Sequence, residues 1–276
     1  MGNRAGMRGR FLLTVGVMLL AAVPWSGRAD DWEPDASLPD LSGRWVTIQR
    51  LVALADLPFL GRVSILTTVG LLSDVCQSGS GVTLVDAYCF SDVDVSTALF
   101  ETDIPDATMR SIEPEPRFAD LRVRDGEIQL VQDWHIEVRG AVLDDPVHDD
   151  LPTYPADPRV VDMDGDDRIG FTIPAKIVSL FGGDTYVVQR FRYRLEGTLV
   201  DPDTIVGLVE WTTEQNVLWA TDALLMTSYT QWIDPDPTLH RFLMRRVDEA
   251  WTCEGIRDRV APLLDFLDAM DLSDPS

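Results

Sequence analysis

The sequence predicts a mainly β protein, an antiparallel β-barrel or β-sandwich of about nine or ten strands with one C-terminal helix. Three observations carry this. Phe191, Tyr193 and Leu195 alternate with Arg190, Arg192, Arg194 and Glu196, the period of a strand with one buried and one solvated face. Turn sequences such as Ser78-Gly79-Ser80-Gly81 and Asp201-Pro202-Asp203 separate runs rich in β-formers. The last stretch, Cys253 to Met270, changes to helical spacing, with Ile256, Val260, Leu263, Leu264 and Leu267 on one stripe.

The chain opens on an export signal. Arg4, Arg8 and Arg10 precede an apolar stretch, Phe11 to Val23, and Gly27-Arg28-Ala29 supplies small residues for cleavage. The apolar run is about 13 residues, short of the ~20 that a spanning helix needs. An uncleaved N-terminal anchor is the rival reading. Residues 1–29 are therefore expected to be removed on the way to the periplasm or cell exterior. Residues 30–40 form a loose acidic lead-in, and 41–276 form a single β-rich domain. No later stretch is apolar for long enough to cross a bilayer.

Strands are expected over Arg44 to Leu54, Arg62 to Cys76 and Val82 to Val93, the last two flanking the Ser78–Gly81 turn. Ile104 to Ile112 fits a short helix with Pro105 at its start. Glu113 to Arg117, with two prolines, reads as a loop. Glu127 to Arg139 alternates Ile128 and Leu130, slips, and resumes with Trp134, Ile136 and Val138. Residues 141–159 hold four prolines and many aspartates, a long loop of the kind that is functional or mobile. Arg168 to Pro174, Tyr186 to Leu199, Thr204 to Thr213, Asn216 to Trp232 and Leu239 to Val247 complete the strands. The C-terminal helix, about 253–270, should pack on the barrel or across an open end.

The formal charge is −23, and loss of Arg4, Arg8, Arg10 and Arg28 takes the mature chain to about −27. That surface repels phosphate backbones, so nucleic-acid binding is not expected. An exported chain with three cysteines permits one disulfide. With the turn at Gly79-Ser80, Cys76 faces about Thr83 and Cys89 about Gly70. The two then lie roughly 20 Å apart at ~3.3 Å per residue, beyond the ~7 Å between Cα atoms that a disulfide allows. The expected bond is Cys89–Cys253, with Cys76 free.

Gly43-Arg44-Trp45 opens the first strand. A Gly-x-Trp at this place resembles the lipocalin-like (calycin) barrels. That resemblance implies that Trp45 seals the closed end of a barrel, with a late-strand arginine over it by cation–π contact. Arg245 is the expected partner, with Arg246 beside it as the alternative. The chain is longer than a typical lipocalin, and its long loop and C-terminal stripe have no place in that pattern. Without the resemblance, Trp45 is a core residue beginning a first strand.

Asp162, Asp164 and Asp166, in Val161-Asp162-Met163-Asp164-Gly165-Asp166-Asp167-Arg168-Ile169, are spaced to converge on a hard cation such as Ca²⁺. The run resembles the Asp-x-Asp-x-Asp calcium loops of EF-hand, dockerin and thrombospondin-type repeats, and the DxDGD stretch of uncharacterised exported bacterial proteins. Asp167 stands where the sharp-turn Gly of such loops belongs, and Ile173 where their bidentate Glu belongs. A weak site is expected, or one completed by Asp157 or Asp184. The other reading is an acidic turn whose carboxylates cap backbone amides.

No catalytic motif is evident. His135, His148 and His240 lack metal-ligand spacing; His135 fits a half-exposed sheet position and His148 a solvated loop. Ser80 has no strand-turn-helix around it and is no nucleophile elbow. Whether the protein is an enzyme stays open, with the balance toward a non-enzymatic exported barrel that binds a small apolar ligand or an envelope partner. Trp211, Trp219, Phe191 and Tyr193 are its expected lining. The alternative is an extracytoplasmic hydrolase using Asp/Glu or metal-assisted chemistry. An open apolar cavity would favour binding. A cleft joining the three aspartates to a histidine would favour catalysis.

Overall fold

The computed structural model describes residues 38–57, 60–177, 181–226 and 230–270. The signal peptide and residues 30–37 of the lead-in lie outside these. The described residues fall within one compact unit, Trp32–Ser276, and none of their helices is long and apolar enough to cross a membrane.

The strands are β1 (Gly43–Leu57), β2 (Gly61–Ser78), β3 (Gly81–Val95), β4 (Phe100–Thr102), β5 (Pro116–Arg124), β6 (Glu127–Gln132), β7 (His135–Arg139), β8 (Phe171–Ile177), β9 (Phe181–Asp201), β10 (Thr204–Ala220), β11 (Thr230–Ile233) and β12 (Arg241–Arg246). The helices are α1 (Asp106–Arg110) and α2 (Ala261–Ala269). All ladders are antiparallel. The order β10-β12-β1-β2-β3-β5-β6-β9 closes on itself through a β9–β10 ladder, so eight strands form a ring. One edge of β9 is paired in turn by β6, β7 and β8. β11 extends the wall beside β1.

Alternation decides which side chains enter the ring. On β1 the odd positions from Trp45 to Leu57 face inward and all are buried. Their partners carry the inward face to Ser73, Leu71 and Val69 on β2 and to Met244 and Phe242 on β12. Phe242 crosses the interior over Gly197, where a Cβ would come within 2.5 Å of its ring. At one end, Trp45 is fully buried and donates from Nε1 to Leu41 O at 2.8 Å.

The arginine over Trp45 is Arg246, at 4.6 Å from the ring. Arg245 is not the partner, because the β1–β12 register pairs Trp45 with Arg246. Arg245 points outward, over Phe266 of α2. Arg246 also donates to Ser42 O (2.6 Å), Asp40 O (2.8 Å) and Asp203 Oδ1 (2.8 Å), tying the lead-in and the β9–β10 turn around the indole.

Two segments cover the outside of the ring. Ile256 and Val260 pack on the outward residues Val46, Ile48, Leu72 and Phe90, and Leu267 packs on Val206 and Leu243. The C-terminal segment therefore lies along the wall and not across an end. Its helix is shorter than the stripe suggests, since residues 253–260 form turns. The Cys89–Cys253 disulfide pins it, with Cα atoms 4.7 Å apart. Cys76 pairs with Thr83 as expected, but Gly70 meets Phe90 and Leu71 meets Tyr88, leaving Cys89 as an extra residue in a β-bulge. The bulge lets Cys89 and Phe90 share the outward face. Cys76 is exposed and free.

The long loop is packed. Leu143 and Leu151 join Val188 and Leu218 in a buried outer cluster, and Asn216 Nδ2 donates to Pro152 O at 3.0 Å. The segment read as Asn216 to Trp232 divides into the end of β10, a 3₁₀ turn over Ala223–Met226, and β11. Glu127 to Arg139 divides where it slips, into β6 and β7. β5 is hidden in the sequence because Pro114 and Pro116 suggest a loop and polarity is inverted where the strand begins. Arg117 is buried inward while Phe118 is exposed outward.

Candidate functional site

Among the described residues, two spaces in the ring bear on function. The first lies at the end opposite Trp45, a cavity of about 370 Å³. Leu57, Ile65, Val93, Ile173 and Val217 supply its apolar wall, with Thr67, Thr185 and Gln215 as polar points. The aromatic residues expected to line it lie elsewhere. Phe191, Tyr193 and Trp211 stack deep in the ring, with centroids 5.1 to 5.9 Å apart. Trp219 is outside, stacked on Tyr186. The β10 register accounts for this: a bulge between Val217 and Trp219 turns the indole outward.

The second space is a lateral chamber of about 430 Å³. β3 leaves β5 after Val85↔Pro116, and β7 pairs only with β9, so no ladder joins β3 to β7 among the described residues. Asp86 and Tyr88 of β3, Arg117 of β5, His135 and Glu137 of β7, and Tyr193 of β9 line the opening. Glu113, Glu115 and Asp162 stand among its outer residues.

Charged side chains fill the floor of this chamber. Arg117 donates from Nε to Asp86 Oδ2 at 2.6 Å and from Nη1 to Gln132 Oε1. Arg139 bonds Glu137 and, at 3.0 Å, Gln189 Oε1. Asp86, Arg117, Gln132, Glu137 and Arg139 are all buried. Arg117 lies over the Tyr193 ring and Arg139 over those of Tyr88 and Phe171. Burial pushes the Tyr88 and Tyr193 phenols up. Burial, then the neighbouring Arg117 charge, holds the His135 imidazole below its ordinary value. His135 is half-buried on β7, as its sheet position suggested, and meets Tyr193 edge-on at 5.5 Å.

Three buried polar atoms here lack a hydrogen-bond partner, one of them Arg117 Nη2, which has its ion-pair contact with Asp86. Asp86 Oδ1 has none, and the Tyr193 hydroxyl, beside the Tyr88 side chain, completes none of sound geometry. Sequence reading missed this site because polar residues on a strand are assigned to solvent. The available signal was phase: Asp86 is in step with Leu84 and Tyr88, and Arg117 with Ala119 and Leu121.

The acidic loop precedes β8. Asp162, Asp164 and Asp166 each bring an oxygen within 4.8 Å of the others and could hold a metal ion. Asp167, at the sharp-turn position, takes the left-handed conformation that a Gly would adopt (φ 63°). Several oxygens also cap amides: Asp162 accepts from Gly165 N (2.8 Å) and Asp167 N (3.0 Å), and Asp164 Oδ2 from Thr172 N (3.1 Å). Asp164 Oδ1 is buried without a partner, and burial pushes this carboxyl up. Asp157 is engaged by Arg159 at 2.8 and 3.0 Å, and neither it nor Asp184 joins the group.

The remaining histidines are structural or solvated. His240 is buried, accepting at Nδ1 from Trp211 Nε1 (3.1 Å) and Val52 N (3.2 Å) while Nε2 meets Asp234 O (2.8 Å). His148 is exposed and pairs with Asp145.

These features define an all-β ring protein with an apolar mouth, a polar lateral chamber and an acidic loop on its wall. No family model matches the chain, and no curated protein or solved structure matches it either.

Proposed function

We propose that this is an exported, non-enzymatic binding protein, a calycin-like barrel that takes a small apolar molecule into its mouth. The apolar cavity opposite Trp45 carries the reading. Its size suits a small ligand, and an apolar wall with few polar points is the usual form of such sites. Trp45 under Arg246 at the other end adds to the resemblance. Export is supported by the ordered signal-peptide features and by a disulfide, which persists in oxidising compartments. The hydrolase reading needs the three aspartates to meet a histidine. Asp162 reaches the chamber that holds His135, but Asp164 and Asp166 are not among its lining residues.

Fluorescence titration with N-phenyl-1-naphthylamine tests the mouth. Saturable, blue-shifted emission is expected from the wild type, weakened at least about tenfold by Ile173→Trp, which fills the cavity. Emission without saturation, or unaffected by Ile173→Trp, counts against the reading.

The acidic loop is proposed as a weak Ca²⁺ site that stiffens the wall, of the millimolar class found in extracellular modules. Ca²⁺ should raise the melting temperature of the wild type, through preferential binding to the folded state, and not that of Asp164→Ala. Equal shifts in both would assign the loop to amide capping alone.

A further inference from the structure

We infer that the lateral chamber is a second ligand site, separate from the apolar mouth, and that it takes a small neutral polyhydroxylated molecule such as a sugar or polyol. The starting point is cost. Asp86, Arg117, Glu137 and Arg139 are all withdrawn from water inside the wall of a ring whose core is mostly apolar. Buried pairs of this kind often stabilise less than apolar residues of the same volume. The pairs are also incomplete: Asp86 Oδ1 is an acceptor without a donor, and the Tyr193 hydroxyl completes no sound hydrogen bond. Both side chains are buried and both line the chamber. Unpaired polar atoms on side chains that line a cavity are what a polar ligand would satisfy.

The ligand class follows from charge and hydrogen-bond sense. Arg117 in the lining is balanced by Asp86, and the lining Glu137 is balanced by Arg139 beyond it, so the site offers no net charge to an ion. Glu113, Glu115 and Asp162 line the approach and repel anions. A cation that passed them would meet Arg117. Asp86 Oδ1 needs a donor, whereas the Tyr193 hydroxyl can give or receive. A hydroxyl group supplies both senses, and neighbouring hydroxyls can serve both atoms together. The volume of about 430 Å³ is that of a small-molecule site.

Saturation-transfer NMR on the full mature chain, with its disulfide intact, tests this. The probes are D-glucose, D-galactose, D-xylose and glycerol, with acetate and ethanolamine as charged controls. At least one neutral probe should give a saturable signal, weakened about tenfold in Tyr193→Phe, the worth of one buried hydrogen bond. Tyr193→Phe removes one oxygen only, and circular dichroism checks its fold. Asp86→Asn, which replaces the acceptor carboxylate with an amide and removes the charge paired with Arg117, is the second variant; circular dichroism checks its fold as well, and it should reduce the same signal. The inference is overturned if no neutral probe binds, if acetate or ethanolamine binds instead, or if both folded variants bind like the wild type. Binding of N-phenyl-1-naphthylamine should be unchanged in both variants, so failure at the chamber and failure at the mouth read out separately.

Discussion

The Trp45 end of the ring and the lateral chamber are built from the same strands under opposite rules. Around Trp45 the indole is buried, its N–H is bonded to Leu41 O, and Arg246 joins three segments over its face. In the chamber, two ion pairs are buried and three polar atoms are left incomplete. The first arrangement serves stability. The second costs stability, and a cost maintained inside the wall points to a use for the unpaired polar atoms.

The largest expected effect tests whether the chamber charges are truly desolvated. Arg117→Met strands Asp86 in the wall and should cost ~3–5 kcal/mol, while Asp86→Leu with Arg117→Met should recover most of it. Urea unfolding of the single and double variants measures the difference, and additive losses would mean that the pair is well solvated. The Trp45 end gives the next effect. Arg246→Met should cost ~1–2 kcal/mol through lost cation–π contact and hydrogen bonds, and Arg245→Met only about 0.5. Equal costs would undo the distinction drawn from the register. The smallest effect is in pH. His135 is held below its ordinary 6.5, so the unfolded chain binds the extra proton first as pH falls. Stability from this group is full above 6.5 and declines as pH drops from there toward the folded value. Comparing wild type with His135→Gln by unfolding titration isolates this slope, and identical slopes would place His135 in solvent.

How legible this was in the sequence depended on whether polarity and phase agreed. From β9 to β10 they do: Phe191, Tyr193 and Leu195 face Thr213, Trp211 and Val209 across a ladder that the alternation anticipates. The Ser78–Gly81 turn set the β2–β3 register closely enough to select the right cysteines, although the bulge at Cys89 was not visible. On β5 polarity and phase conflict. Arg117 faces inward because Asp86 and Gln132 wait there, and neither is near it in sequence. Arg246 was harder to choose over Arg245 for the same reason, since one residue of register decides which faces Trp45. The three aspartates were legible because their spacing is local. The apolar mouth was not, because it is assembled from ordinary apolar residues on many separate elements, among them β1, β2, β3, β8 and β10.

The disulfide carries a consequence for how the chain is made. Cys76 and Cys89 are the nearer pair, whereas Cys89 and Cys253 are 164 residues apart. Loop closure favours the nearer pair in the unfolded chain by ~2 kcal/mol. The β2–β3 ladder then draws those two thiols apart, and only the bulge and the docked C-terminal segment bring Cys253 to Cys89. Oxidation before the ring closes thus favours the wrong bond, and the exposed thiol of Cys76 stays available for exchange. The native pairing needs the finished β2–β3 ladder and the docked C-terminal segment, and so forms late in folding.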